Sequence, residues 1–160
     1  MRYILASVAI VLFSVVVLGA ATEESTHTPD ARMLRFPDVS MDAIVFVYAG
    51  DLWIVPKTGG TARRLSSPKG QELLPKFSPD GSLIAFSGNY DGNTDVYTIS
   101  VHGGSPTRLT HHPDSDSVVE WYPDGKSVLY RSMMSSPSRR FNRFFKQPIS
   151  GGMPETLPLA

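Results

Sequence analysis

Three clusters in this sequence hold side chains that could do chemistry. The first is HHPDSDS, where His111, His112, Asp114, Asp116 and Ser117 supply bases, acids and a hydroxyl. Such a set could form a nucleophilic triad or, with the histidines as ligands, a metal site. Adjacent histidines in an extended loop point to opposite sides, and no third ligand stands at a spacing that would bring it round. A triad also needs a buried acid to orient its base, which closeness in sequence does not provide. A solvated loop between structural units is the favoured reading.

The second cluster, Asp91-Gly92-Asn93-Thr94-Asp95, imitates the opening of a calcium loop. Its sixth position should be glycine and is Val96, and its twelfth should be glutamate and is His102, so the bidentate ligand is missing. A turn leading into a strand fits better. The third is basic: Arg139, Arg140, Arg143 and Lys146 are interleaved with Phe141, Phe144 and Phe145. Guanidinium groups at a pore mouth could hold peptide carboxylates through bidentate pairs. The competing reading is a long hairpin whose arginines lie over neighbouring aromatics. No catalytic residue, cofactor site or metal site is expected.

The elements that would position these residues repeat. FSPDG (Phe77 to Gly81) recurs as WYPDG (Trp121 to Gly125), with Asp80-Gly81 and Asp124-Gly125 as turn pairs, and FPDVS at Phe36 reads as a degenerate first copy. Glycine pairs follow at Gly59-Gly60, Gly103-Gly104 and Gly151-Gly152. Each pair has an aromatic six residues before its first glycine (Trp53, Tyr97, Phe145) and a leucine six residues after it (Leu65, Leu109, Leu157). Offsets kept in three copies define a repeat of roughly 41 to 48 residues, a period typical of propeller blades.

Each repeat contains short β-branched or aromatic runs bounded by Gly, Pro, Asp or Ser, which is a strand pattern. The first repeat predicts strands at 33–37, 43–48, 51–56 and 62–66, with Ala49-Gly50 as a two-residue hairpin turn. The second predicts 73–78, 82–88, 94–100 and 106–110. The third predicts strands from Val118, Ser127 and Phe144 and a weak last one near Glu155 to Leu157, with a lengthened loop at 133–143. The expectation is an all-β fold of three four-stranded antiparallel propeller blades, about 33–71, 72–115 and 116–160. Closed propellers need four to eight blades. Three form only an arc, so a fragment of a longer propeller protein, or a truncated reading frame, is expected; assembly of several copies into a ring is the alternative.

The chain has 160 residues with 15 basic and 15 acidic side chains spread along it, which leaves no electrostatic footprint for nucleic acid. It has no cysteine, which removes disulfides and thiolate chemistry. Residues 1–21 differ from the rest: Arg2, the apolar run Ile4 to Leu18 and the small residues Gly19, Ala20 and Ala21 have the form of an export signal. A retained membrane anchor is the rival reading and would be the chain's only membrane contact. Residues 22–32 read as a polar linker, and the remainder is expected to be periplasmic or secreted.

With the repeat laid out, the elements Phe77 to Gly81, Leu83 to Phe86, Val96 to Ile99, Gly103-Gly104 and Arg108 to Thr110 resemble the blades of TolB and of the tricorn protease. The strings at 35–65, 76–99 and 136–145 resemble the N-terminal propeller of exported bacterial tricorn-type serine peptidases. That resemblance covers about 33–158. It implies a longer chain with further blades and a peptidase core, in which this part is a scaffold and a channel for peptides and contributes no catalytic residue. A TolB-like propeller that binds a protein partner is the alternative.

Overall fold

The structure, a computed structural model, describes residues 33–66, 69–136 and 140–158. The expected export signal, the linker and Arg139 lie outside the described residues. The first repeat forms β1 (Arg35–Val39), β2 (Ala43–Tyr48), β3 (Asp51–Pro56) and β4 (Arg63–Arg64). The second forms β5 (Gln71–Phe77), β6 (Leu83–Asn89), β7 (Thr94–Ser100) and β8 (Thr107–Arg108). The third forms β9 (Asp116–Trp121), β10 (Ser127–Ser132), β11 (Arg143–Pro148) and β12 (Glu155–Thr156). Each set makes one antiparallel sheet with its strands in chain order.

Turn chemistry sets these registers. Tyr48 pairs with Asp51 across Ala49 (φ 53°) and Gly50 (φ 90°), so both loop residues are left-handed, as a twisted two-residue hairpin demands. The three glycine pairs are likewise left-handed throughout, from 88° at Gly151 to 120° at Gly104, and each turns its third strand into a fourth of only two residues.

The FPDVS stretch departs from the expectation. Its Phe36, Pro37, Asp38 and Val39 lie inside β1, and the turn is made one step later by Ser40, whose Oγ accepts from the N–H groups of Asp42 and Ala43. The physical reason is a bulge. Register slips between Arg35 and Asp38 in β1 and between Leu73 and Lys76 in β5, at Phe36-Pro37 and Leu74-Pro75, with φ of 50° at Phe36 and 54° at Leu74. Pro37 therefore matches Pro75, not Pro79 of the SPDG turn, and each proline occupies an unpaired position where no ladder N–H is needed.

The sheets pack face to face along the chain, with β5 lying against β1, β2 and β3, and β9 against β5, β6 and β7. Val45, Val47, Leu52, Ile54 and Leu65 of the first sheet meet Phe77, Ile84, Phe86, Tyr97 and Ile99 of the second in one apolar core. Ala85, Val96 and Leu109 meet Trp121, Val128, Tyr130 and Phe145 in the other. Phe86 stacks on Tyr97 at 5.8 Å, and the matching pair Tyr130 and Phe145 stacks at 5.3 Å. Neighbouring sheets thus supply each other's interior, and the three form an unclosed propeller arc.

Candidate functional site

Two arrangements of charge recur at the junctions between sheets. Glu72, at the start of β5, is fully buried. Its Oε2 accepts from the Leu52 N–H at 2.7 Å and from the Ser66 hydroxyl, and its Oε1 accepts from the Tyr90 phenol. One carboxylate thus binds the backbone of the first sheet to the second. Burial and this acceptor together push the Tyr90 phenol far above its ordinary range.

Asp116 occupies the same position in the third repeat, five residues before Trp121 as Glu72 is before Phe77. It is fully buried, and neither carboxylate oxygen has a well-aligned hydrogen bond among the described residues. One methylene shorter than Glu72, it leaves the Val96 N–H to the Thr110 hydroxyl at 2.9 Å. Burial raises its pKa, opposed by the Ser132 and Thr110 hydroxyls nearby and by His112, and reinforced by Asp95. The solvated-loop expectation therefore fails for Asp116 and Ser117, which open β9, because the interface between sheets needs a first strand that starts earlier. It holds for His111, which is exposed.

A raised carboxyl pKa means the folded state holds the proton that the unfolded chain loses above about pH 4. This contribution is complete below the unfolded pKa and is lost as pH rises through the folded one. Asp116→Asn should therefore raise the urea midpoint at pH 7 and leave it nearly unchanged at pH 3. Equal shifts at both pH values would show that ionisation is irrelevant there.

The second arrangement lies on the inner strands. Asp38, Lys76 and Glu120 occupy equivalent positions on β1, β5 and β9, and the Lys76 ammonium lies 3.5 Å from Asp38 and 3.2 Å from Glu120. Asp38 also accepts from the Phe77 N–H at 2.8 Å, and the Trp121 indole donates to the Lys76 carbonyl at 2.9 Å. Charges alternate along the inner wall of the arc.

The calcium-like stretch and the repeat turns serve the scaffold. Asp95 pairs with Arg108 at 2.6 Å, and Asn93 donates to the His112 carbonyl, so the calcium-like stretch is a turn and strand start. Among the described residues no group of three His, Asp or Glu side chains could hold a metal ion. Asp80 accepts from Ser78 Oγ and from the N–H and Oγ of Ser82, which hold its carboxyl down to about 2. Its partner in the third repeat, Asp124, accepts from the Lys126 N–H. Of the basic cluster, Arg140 is exposed, Arg143 donates to the Ser135 carbonyl and Lys146 lies 4.8 Å from the Tyr122 ring centroid.

The whole described chain is blade. The model of the tricorn protease N-terminal β-propeller domain matches residues 31–160. The chain belongs to that family. Among its relatives, Tricorn protease homolog 1 of Streptomyces coelicolor is 35% identical over 126 residues, covering 78% of this chain and 12% of the relative. The uncharacterized peptidase YuxL of Bacillus subtilis is 36% identical over 105 residues, covering 64% and 16%. This tricorn-type propeller chain thus spans less than a fifth of the length of either relative. Its fold resembles the crystal structure of the tricorn protease (TM-score 0.63, 24% identity, 71% of this chain and 12% of that one). It equally resembles TolB from Acinetobacter baumannii (TM-score 0.63, 21% identity, 74% and 30%).

For this tricorn-type propeller, composition and spacing exposed the blades but not the acids between them. Glu72 and Asp116 share one offset from the aromatic that opens the turn, and that offset was the available signal.

Proposed function

We propose that this chain is the scaffold and gate of an exported tricorn-type serine peptidase, part of a propeller that controls which peptides pass to or from an active site elsewhere in a longer chain. The supporting observation is the inner wall, where Asp38, Lys76 and Glu120 set alternating charge on strands that belong to a family of peptidase propellers. A wall of paired charges can retard or orient a passing peptide electrostatically without cleaving it. Likeness to TolB is one of fold, whereas three relatives at 35%, 36% and 37% identity carry peptidase or protease names, which favours the peptidase reading. Residues 1–21 act in this reading as the export signal, and intact mass of exported protein would show whether they are removed.

The test is a substrate-length comparison in the full-length peptidase. Lys76→Ala should change kcat/KM for a peptide of about 20 residues while leaving a di- or tripeptide reporter unchanged, because only the long chain reads the wall. The same comparison for Arg139→Ala with Arg140→Ala examines the basic loop as a pore mouth. Equal effects of Lys76→Ala on long and short substrates, or none on either, would overturn the gate. The isolated chain should hydrolyse neither.

A further inference from the structure

Register alignment identifies five positions that each sheet turns toward its successor. In the first sheet they are Val45, Val47, Leu52, Ile54 and Leu65, all in the apolar core shared with the second. In the second they are Ala85, Ser87, Val96, Thr98 and Leu109; Ser87 Oγ accepts from the Val118 N–H of the third sheet at 2.9 Å. In the third they are Leu129, Arg131, Phe144, Lys146 and Leu157, and no described sheet covers them. A greasy face in the first sheet has become a greasy face carrying two cations in the third.

The cations differ in what they require. Lys146 is held over Tyr122 of its own repeat, just past β9. Arg131 is exposed, has no ion pair among the described residues and stands directly opposite Phe144, where the covered sheets carry uncharged Val47 and Ser87. Burying that guanidinium under another sheet without an acid would be costly.

The backbone beside it has a matching need. The Leu157 N–H donates to the Phe144 carbonyl, just as that of Leu65 donates to Leu52 and that of Leu109 to Val96, so the Phe144 N–H is placed like those of Leu52 and Val96. Glu72 satisfies the first of these and the Thr110 hydroxyl the second. In the third sheet the position of Ser66 and Thr110 is Pro158, which has no hydroxyl. An acceptor must come from outside.

We propose that the open face of the third sheet receives a further four-stranded repeat whose first strand carries a carboxylate five residues before its turn-opening aromatic, and that this carboxylate bonds the Phe144 N–H and pairs with Arg131. The proposal rests on the propeller reading and adds the chemistry of the junction. A second copy of this chain is a poor occupant: through the shared bulge, Leu34 stands in its first sheet where Glu72 and Asp116 stand in the others, so docking would bury Arg131 unpaired. The charge selects an acid-bearing repeat over self-association.

The probe is the chain's own acid-bearing repeat, a copy of residues 69–115 joined behind residue 158. In the unextended chain the Leu52 and Val96 amides should be protected from hydrogen exchange and that of Phe144 should not. In the extended chain, Phe144 exchange should slow about tenfold or more, and Glu72→Gln in the added copy should restore it. Stability changes from that substitution and from Arg131→Gln should be coupled rather than additive. Arg131→Lys, which keeps the charge, guards against a variant that fails to fold. Docking without Phe144 protection, or with additive effects, overturns the carboxylate pairing and leaves the propeller reading standing. An added repeat that stays undocked, seen as two bodies by small-angle scattering, overturns both.

Discussion

Replacing Glu72 with alanine should lower the stability of the chain by about 3–5 kcal/mol, read as a fall in the urea midpoint. Three donors converge on this carboxylate: the Leu52 N–H, the Ser66 hydroxyl and the Tyr90 phenol. Alanine removes their acceptor and leaves a cavity at a fully buried position. Each unsatisfied buried donor costs about 1–3 kcal/mol, and the loss falls at a junction that keeps its apolar contacts and the bonds of Asp38 to Lys76 and the Phe77 N–H. Ser66→Ala deletes one donor and keeps the acid, so it should cost about 1 kcal/mol. A Glu72→Ala loss no larger than that of Ser66→Ala would show that the carboxylate does not join the sheets.

Phe86→Ala should be comparably damaging, at about 3–5 kcal/mol. The ring is fully buried, stacks on Tyr97 at 5.8 Å and meets Tyr90 edge-on at 6.4 Å. Those rings also press on Gly88, where an added Cβ would lie 3.1 to 3.3 Å from Tyr97, Phe86 and Tyr90. The site is closely packed and cannot collapse to fill the void. Phe46 holds the matching place in the first sheet but is only half-buried, on a face no described sheet covers. Phe46→Ala should therefore cost less than half as much. Equal losses would mean that cover by the neighbouring sheet contributes nothing.

The blades were legible because their punctuation is local. Glycine pairs, the Ala49-Gly50 turn and the Asp-Gly pairs act through backbone angles that depend on the residues themselves, and β2, β3, β7 and β10 run where the spacing predicted them. The first strands were harder. FPDVS imitates a turn motif, yet Pro37 serves a bulge, and only pairing with β2 distinguishes the two uses of a proline. Asp116 was harder still: beside two histidines and three other polar residues it has the local character of a loop, and its burial is imposed by a sheet whose strands come from elsewhere in the chain. Membership of the family was carried by long strings of sequence, while the acids at the junctions and the wall of Asp38, Lys76 and Glu120 exist only once the sheets are side by side.

The outermost strands β4, β8 and β12 have two residues each. A stranger seeking to zip onto the rim would find too few free amides for a lasting grip, so fibril growth by strand addition has little purchase there. Any unwanted sticking should occur flat against the end sheets, where salt weakens repulsion between like charges and a mild detergent would reverse it.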